Sequence, residues 1–411
     1  MKLSQLIPKK KPYALVMSMV FVLLSGAWGS TKFKVLHRFY AGKNNNGGLY
    51  ASLTLDAKGN LYGTTWGGGV YANGTLFELV PTVGGSWRIK VLHSFDPSTD
   101  GDSPSGALFV KGDATLYGTT SAGGEHGGTV FQMTRTSGSW TFEVIDSYGS
   151  RGGVVLDQTG NLYGNVGPGE YDYNGAVTEL VDSSGVWTQS YLYSFCAKPG
   201  CPDGSIPVSG VIFDGAENLY GTTEYGGMGQ LGGLGGGTAY ELKHKSDGTW
   251  EHLVLHNFPA FNGDGFRLLA GLVLDKSGNL YGATIQGGSA GCGMVFKLTH
   301  GANGWKESVV HDFIQPTSGC GPSGVTFDQA GNLYGTAGGG TGQCEAGCGV
   351  VFKLTHNSGS KWNYSVLHHF TGNDGAYPDA GVILDPKGNL YGTTELGGGG
   401  HSVGVVFEIT P

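Results

Sequence analysis

The sequence predicts an all-β fold: a seven-bladed β-propeller of four-stranded antiparallel blades, its ring closed by the N-terminal strand completing the last blade. Three observations carry this. The tripeptide Leu-Tyr-Gly recurs seven times, at 61–63, 116–118, 162–164, 219–221, 280–282, 333–335 and 390–392, mostly with Asn before it and Thr after it. Each recurrence anchors four strand-length pieces joined by short connections, the pattern of an antiparallel meander. The ends of the chain are complementary: it opens on a fourth-type strand, Lys34 to Phe39, and stops after a third-type strand, Gly404 to Thr410. One strand and three strands make a seventh unit, as a closed ring needs, whereas an open solenoid wants polar caps.

From the N-terminus, residues 1–29 read as a signal peptide. Lys9, Lys10 and Lys11 form a basic start, Ala14 to Leu24 is apolar except for Ser18, and Ala27-Trp28-Gly29 supplies a small-x-small cleavage signal. That apolar stretch of eleven residues is shorter than the roughly 20 a bilayer span needs. Residues 30–411 then form a single propeller domain. In each unit the first piece has a small start and an apolar body, as in "ASLTLD" and "AGVILD". Gly106, Gly153, Gly210, Gly271, Gly324 and Gly381 open it, and small residues suit the place where seven blades crowd an axis. The second piece is "NLYGTT"; the third follows a glycine-rich loop ("GTLFEL", "GVVFKL"); the fourth follows a polar turn and a tryptophan ("KVLHSF", "SVLHHF"). Both faces of the middle strands are apolar, as blades packed face to face require.

Glycine is abundant, 78 of 411 residues, yet 39% hydrophobic and 11% aromatic content leaves enough to pack. Glycine without a three-residue period excludes collagen. The net charge of −8 becomes −12 once Lys2, Lys9, Lys10 and Lys11 leave with the signal. Such an acidic product has no electrostatic case for nucleic acid or anionic lipid. All six cysteines lie between 196 and 348, and in an exported chain an even count reads as disulfides. Cys196/Cys201 and Cys344/Cys348 are each close enough to clip a loop, and Cys292/Cys320 pair by elimination. Zinc is the alternative, but the Cys-x4-Cys and Cys-x3-Cys spacings have no matched His.

The recurring polar motifs read as scaffold. In Asp56-Ala57-Lys58-Gly59-Asn60, Asp accepts backbone N–H groups across a tight turn and Gly supplies positive φ. A calcium loop needs six to eight oxygens at fixed offsets, and this turn offers too few. His37, His93, His256, His311 and His368 recur in "VLHxF", but one position per blade cannot converge on a site. They read as packed histidines bonded to a neighbouring blade, and the six tryptophans before that strand as blade-edge packing. Asp100-Gly101-Asp102, Asp203-Gly204, Asp264-Gly265 and Asp374-Gly375 read as turns toward the next blade, with Ca²⁺ near the pore as the weaker alternative. No other cofactor is implied.

The joint pattern, Asp-x-x-Gly-Asn-Leu-Tyr-Gly-Thr-Thr, then Gly-Gly, Gly-x-Val-Phe-x-Leu, Trp, Val-Leu-His-x-Phe and Asp-Gly, resembles the GloVer tandem-repeat proteins, a choice-of-anchor group of exported bacterial proteins. The resemblance covers nearly all of Lys34 to Pro411, and the first half of the motif also looks like the hairpin of NHL-type propellers. It implies export and surface association, and brings no established activity and no catalytic residues. The last repeat ends at Pro411 without a sorting segment, which favours a released protein over an anchored one.

Candidate functional residues sit where units differ most, in the loops between second and third strands. Trp66, Tyr71, His126, Glu170, Tyr171, Tyr173, Tyr225 and His401 would rim one face, shared with the Asp-Gly turns. Aromatic rings beside Gly, Asn and carboxylates suit a glycan or peptide. No Gly-x-Ser-x-Gly elbow between strand and helix, no His-Glu-x-x-His and no P-loop is present. The expectation is a secreted, cell-surface or periplasmic non-enzymatic binding or scaffold module, with a glycan or protein partner. The alternatives are a polysaccharide hydrolase or lyase using loop carboxylates such as Glu170 and Glu224, or a purely structural envelope protein.

Overall fold

The structure, a computed structural model, describes residues 31–40, 48–149, 151–167, 174–228, 235–259, 263–340, 344, 347–356 and 361–410. The segment 1–29 lies outside these, as do Glu170, Tyr171 and Tyr173. Seven four-stranded antiparallel sheets form the blades, and no helix occurs among the described residues. Blades 1 to 6 span 54–94, 109–146, 155–194, 212–257, 273–312 and 320–369. Blade 7 takes Ile383–Leu384, Leu390–Thr394 and Ser402–Thr410 from the C-terminus and Lys32–Tyr40 from the N-terminus. That last pairing runs from Lys32 opposite Thr410 to Tyr40 opposite Ser402 and closes the ring. No helix is long and apolar enough to cross a membrane among the described residues.

The hydrophobic core lies between blades. Seven clusters of buried residues occur, one at each seam. At the seam of blades 1 and 2, Tyr62, Leu76 and Phe95 meet Leu108, Leu116, Phe131 and Met133. The repeated phrase supplies most of this. Its Leu is buried in every blade: Leu61, Leu116, Leu162, Leu219, Leu280, Leu333 and Leu390. Its Tyr sets its ring about 6 Å from the tryptophan that opens the next blade's outer strand, as in Tyr62–Trp140 (6.1 Å), Tyr220–Trp305 (6.2 Å) and Tyr391–Trp87 (6.0 Å). Six such pairs exist. Blade 7 opens its outer strand without a tryptophan; Lys353 lies over the Tyr334 ring of its own blade, as Lys297 lies over Tyr281. The tyrosine hydroxyl returns to its own turn: Tyr62 donates to Asp56 and Glu78 at 3.2 and 3.0 Å.

The glycine of the phrase has a steric cause. It stands opposite an aromatic residue of the third strand, Gly63 with Phe77 and Gly118 with Phe131. A Cβ on Gly63 would meet the Phe77 ring at 2.6 Å. The ring lies flat over the glycine and packs across the seam, Phe131 against Phe95 at 5.3 Å. Blade 3 is the exception, with Thr178 opposite Gly164 and no ring to shelter.

Inner strands are shorter than their apolar sequence predicts. Ladder pairing covers only two residues in blades 1, 3, 4, 5 and 7. Upstream of it the carbonyls turn to the preceding blade, whose first phrase threonine donates to them. Thr119 reaches Gly152 at 2.8 Å, Thr336 reaches Ala380 at 2.8 Å, and Thr393 reaches Ala51 at 3.4 Å. The second threonine bonds within its blade, Thr65 Oγ1 to Thr75 Oγ1 at 2.8 Å, and closes the foot of the variable loop.

The recurring histidines are packed, in a more local arrangement than the sequence suggests. His93, His256 and His368 bond the Asp of the turn that follows their own strand, Asp100, Asp264 and Asp374, at 2.9, 3.1 and 3.0 Å. Their rings touch the next blade: His93 stacks on Phe142 at 3.8 Å and His311 on Tyr364 at 4.1 Å. These turn carboxylates are therefore spent on the preceding strand. Asp56 makes the expected turn, accepting from the N–H groups of Lys58 and Asn60 at 2.9 and 2.8 Å. The cysteines pair as Cys196–Cys201, Cys292–Cys320 and Cys344–Cys348.

Two outcomes test this packing. Gly118→Ala, which pushes Phe131 into the seam, is expected to cost about 1–3 kcal/mol in denaturant unfolding, and Gly164→Ala distinctly less, since its Cβ would press only on Val154 Cγ1, at 3.0 Å; equal costs would contradict the ring-over-glycine account. Burial lowers His252 and His311 to about 4, against roughly 6.5 in an unfolded chain. The unfolded state therefore binds more protons, and their contribution to stability, complete above about pH 6.5, is lost as pH falls toward 4. Asp146, raised to about 6 by burial, acts oppositely, adding stability as pH falls. His252→Phe, which keeps a ring stacked on Tyr193, should flatten the fall in Tm between pH 6.5 and 4; an unchanged slope would refute it.

Candidate functional site

Strand direction brings the second-to-third loops and the connections between blades to one face. Backbone bridges join them: Asp102 to Ala122, Ser205 to Tyr225, Ala376 to Leu396, and Gly265–Phe266 to Gln286–Gly287. The rim these make around the axis is built by repetition. In four connections a non-glycine residue is left-handed: Ser103 (φ 58°), Ile206 (58°), Arg267 (61°) and Tyr377 (56°). Each stands eight residues before its blade's inner turn, at Lys111, Asp214, Asp275 and Asp385. Each donates its N–H to the preceding blade's loop and accepts from its own, as Tyr377 does from Glu395 at 2.9 Å. Such conformations cost on the order of 1–3 kcal/mol each and persist only where surrounding bonds dictate them.

Inside this rim lies the axial channel, about 440 Å³, walled by the small residues of the inner strands, Gly153, Gly210, Gly271, Gly324 and Gly381 among them. It widens on the loop-rich face into a mouth of about 970 Å³. Shared by channel and mouth are Tyr50, Ser105, Arg151, Val208, Leu269, Ser323 and Asp379. All but Ser323, which stands one residue nearer its turn, lie six residues before the turn position of their blade. One slot of the repeat therefore lines the axis and differs in every one of these blades. Polar residues occupy blades 7, 1, 2 and 3; Val208 and Leu269 make blades 4 and 5 apolar.

Asp379 and Glu395 are the chemically unusual pair. Their N–H groups share the Tyr377 carbonyl, at 3.0 and 2.9 Å, which sets the two side chains together. Asp379 keeps surface toward the channel, but the blade walls limit its water. That restriction first, then the hydrogen bond and charge of Glu395, pushes the Asp379 carboxyl up to about 7. A hydrogen bond joins the two carboxyls. Tyr50 donates its phenol to Glu395 Oε1 at 2.5 Å, and burial first and then this bond hold the phenol above its ordinary value. The Tyr50 ring meets Trp66 edge to face at 6.1 Å.

Of the loop residues singled out from sequence, Trp66 lines the mouth and is half exposed. Tyr225 lies beside the ion pair of Glu224 and Arg267, whose closest atoms are 2.7 Å apart. Tyr71 and His401 are exposed on their loops, and His126 stacks on Tyr148 at 4.9 Å; none of the three lines the mouth. Glu224 is buried and tied to Arg267. The strings Gly287-Gly288-Ser289-Ala290-Gly291 and Gly400-His401-Ser402-Val403-Gly404 fit Gly-x-Ser-x-Gly by letter. The first follows Gln286–Gly287 into a loop and the second runs into the strand Ser402–Thr410; neither has a helix after it, and the Ser289 N–H donates to Asp312, so neither forms a nucleophile elbow. Among the described residues no group of three or more His, Cys, Asp or Glu converges to hold a metal. Sequence reading missed Tyr50, Arg151, Asp379 and Glu395. The available signal for the first three was the slot six residues before each turn, a variable position next to the small residues of the inner strand, and for Glu395 the variable position after the Thr-Thr.

The sequence profile of the Gloeobacter/Verrucomicrobia repeat matches residues 19–234 and 230–411. No curated protein matches the chain. Solved structures share the fold, and two of them serve as examples. One is the extracellular domain of a B. thetaiotaomicron chain described as a one-component system, 11% identical with a TM-score of 0.53, the match covering 91% of this chain and 40% of that one. The other is an ancestral GH74 enzyme, 10% identical with a TM-score of 0.55, covering 89% and 48%. At these identities the likeness shows the fold alone, and the chain spans less than half the length of either.

Proposed function

The chain belongs to the Gloeobacter/Verrucomicrobia repeat family, and from that premise we propose that it is an exported binding module that takes an extracellular glycan at the axial mouth. The observation that carries this is the mouth itself: about 970 Å³, with the Trp66 and Tyr50 rings on one wall and Ser121, Gln286, Gln315 and Arg151 around it. Aromatic faces stack on the apolar faces of pyranose rings, while amides, hydroxyls and a guanidinium bond their hydroxyls. The export signal and three disulfides support an extracellular or periplasmic setting.

A hydrolase reading draws on the Asp379–Glu395 pair. Glycoside hydrolysis needs two carboxyls about 5–9 Å apart, with sugar and water between them. Two carboxyls joined by a hydrogen bond leave no such gap, which favours binding over turnover.

Purified residues 30–411 on a glycan array, followed by titration calorimetry of the hits, test the proposal. Binding is expected, and Trp66→Ala should weaken it at least about tenfold, some 1.4 kcal/mol. Silence across the array at high protein concentration would overturn it.

A further inference from the structure

The slot that follows the Thr-Thr of the repeated phrase holds glutamate in two blades, Glu224 in blade 4 and Glu395 in blade 7. The two have opposite surroundings. Glu224 is buried and answered by Arg267, from the connection into blade 5, through two bonds of 3.1 and 2.7 Å. For Glu395 the next connection offers Gly48 where Arg267 stood, and the Trp66 N–H takes the Gly48 carbonyl. The partners of Glu395 are instead the Tyr50 phenol and the Asp379 carboxyl. A carboxyl pair therefore stands where its counterpart has a guanidinium, and its Asp379 lies on the wall of the cleft.

The surroundings of that pair suit a cation brought from outside. Tyr50 and Trp66 form an edge-to-face corner over the same wall, and aromatic faces attract ammonium groups. Blade 6 presents Gly338, whose backbone packs so closely on Asp379 that any Cβ would stand 2.5 Å from Oδ1, so that side is closed and a cation reaches the carboxyl from the cleft. The charged and titratable groups facing Asp379 are Glu395 from its own blade and Tyr50 from blade 1. Arg151 stands on blade 3, three blades away around the ring.

We infer that the mouth selects a glycan bearing free amino groups, its ammonium seated between Asp379, Glu395 and the Tyr50–Trp66 corner. This rests on the cleft being a glycan site. In the free protein the two carboxyls hold one proton between them. The incoming R–NH₃⁺ takes its place: the O–H bond of Asp379 breaks, the proton leaves to solvent, and both carboxylates accept from the ammonium. Gln286 and Gln315 on the mouth serve sugar hydroxyls, which a lysine peptide lacks.

Calorimetry with three probes tests this: a glucosamine tetrasaccharide, its fully N-acetylated counterpart, and tetralysine. The amine sugar should bind at least tenfold tighter than the acetylated one and than tetralysine. At pH 6 its binding should release a proton, read from buffers of different ionisation heat, and its affinity should pass through a maximum near about pH 7, because above that the sugar amine loses the proton it must carry. Glu395→Gln, and independently Asp379→Asn, should collapse the preference toward one by weakening the amine sugar far more than the acetylated one; an unchanged Tm and circular dichroism spectrum report a folded cleft, and a preference retained in both variants overturns the assignment. Equal binding of both sugars, or preference for the acetylated one, overturns amine selection and leaves the glycan reading standing. Tetralysine bound as tightly as the amine sugar overturns it in favour of a peptide. No binding of either sugar overturns both.

Discussion

The structure depends on the contact between one blade's Leu-Tyr-Gly-Thr-Thr and the next blade's inner and outer strands. The tyrosine meets the neighbour's tryptophan, the first threonine bonds the neighbour's inner carbonyl, and glycine gives room for a ring that crosses the seam. No blade buries both of its faces alone, so each is stable only between two others, and the ring only when closed. Closure falls to Lys32–Tyr40. Phe33 stacks on His368 at 3.7 Å, and Phe39 packs on Phe77 at 5.2 Å, so this one strand seals seams on both sides of blade 7.

With the seams carrying stability, positions facing the axis and the loop-rich face are free to differ. The same slot can be Tyr50, Arg151, Val208 or Asp379 without disturbing the strands behind it. The contrast between Glu224 and Glu395 shows what that freedom permits. One glutamate is satisfied inside the protein, as buried charges ordinarily are. The other is met by the Tyr50 phenol and the Asp379 carboxyl instead of a guanidinium.

Much of the fold was legible because repetition averages out local ambiguity. A single "VLHSF" is any short strand, while six of them at one spacing before a closing fragment define a ring. The turn role of Asp56 and Gly59 and the three disulfide pairings were readable for similar reasons of spacing. Less legible was why the phrase needs its glycine, since the aromatic partner lies about 14 residues away, as from Gly63 to Phe77, and only the register reveals it. The histidine partners were misplaced because the turn that follows each strand folds back on it. Trp66 could be found in a variable loop. Tyr50, Arg151 and Asp379 could not be found so easily, because each sits inside a segment that reads as scaffold on both sides.

Hydrogen–deuterium exchange of residues 30–411 with and without the glucosamine tetrasaccharide tests most directly whether function sits where the repetition stops. Protection is expected in the segments around Tyr50, Trp66, Tyr377 to Asp379 and Glu395, with the Asp-x-x-Gly-Asn turns of the opposite face unchanged. Protection confined to those turns or to the outer strands would contradict the account.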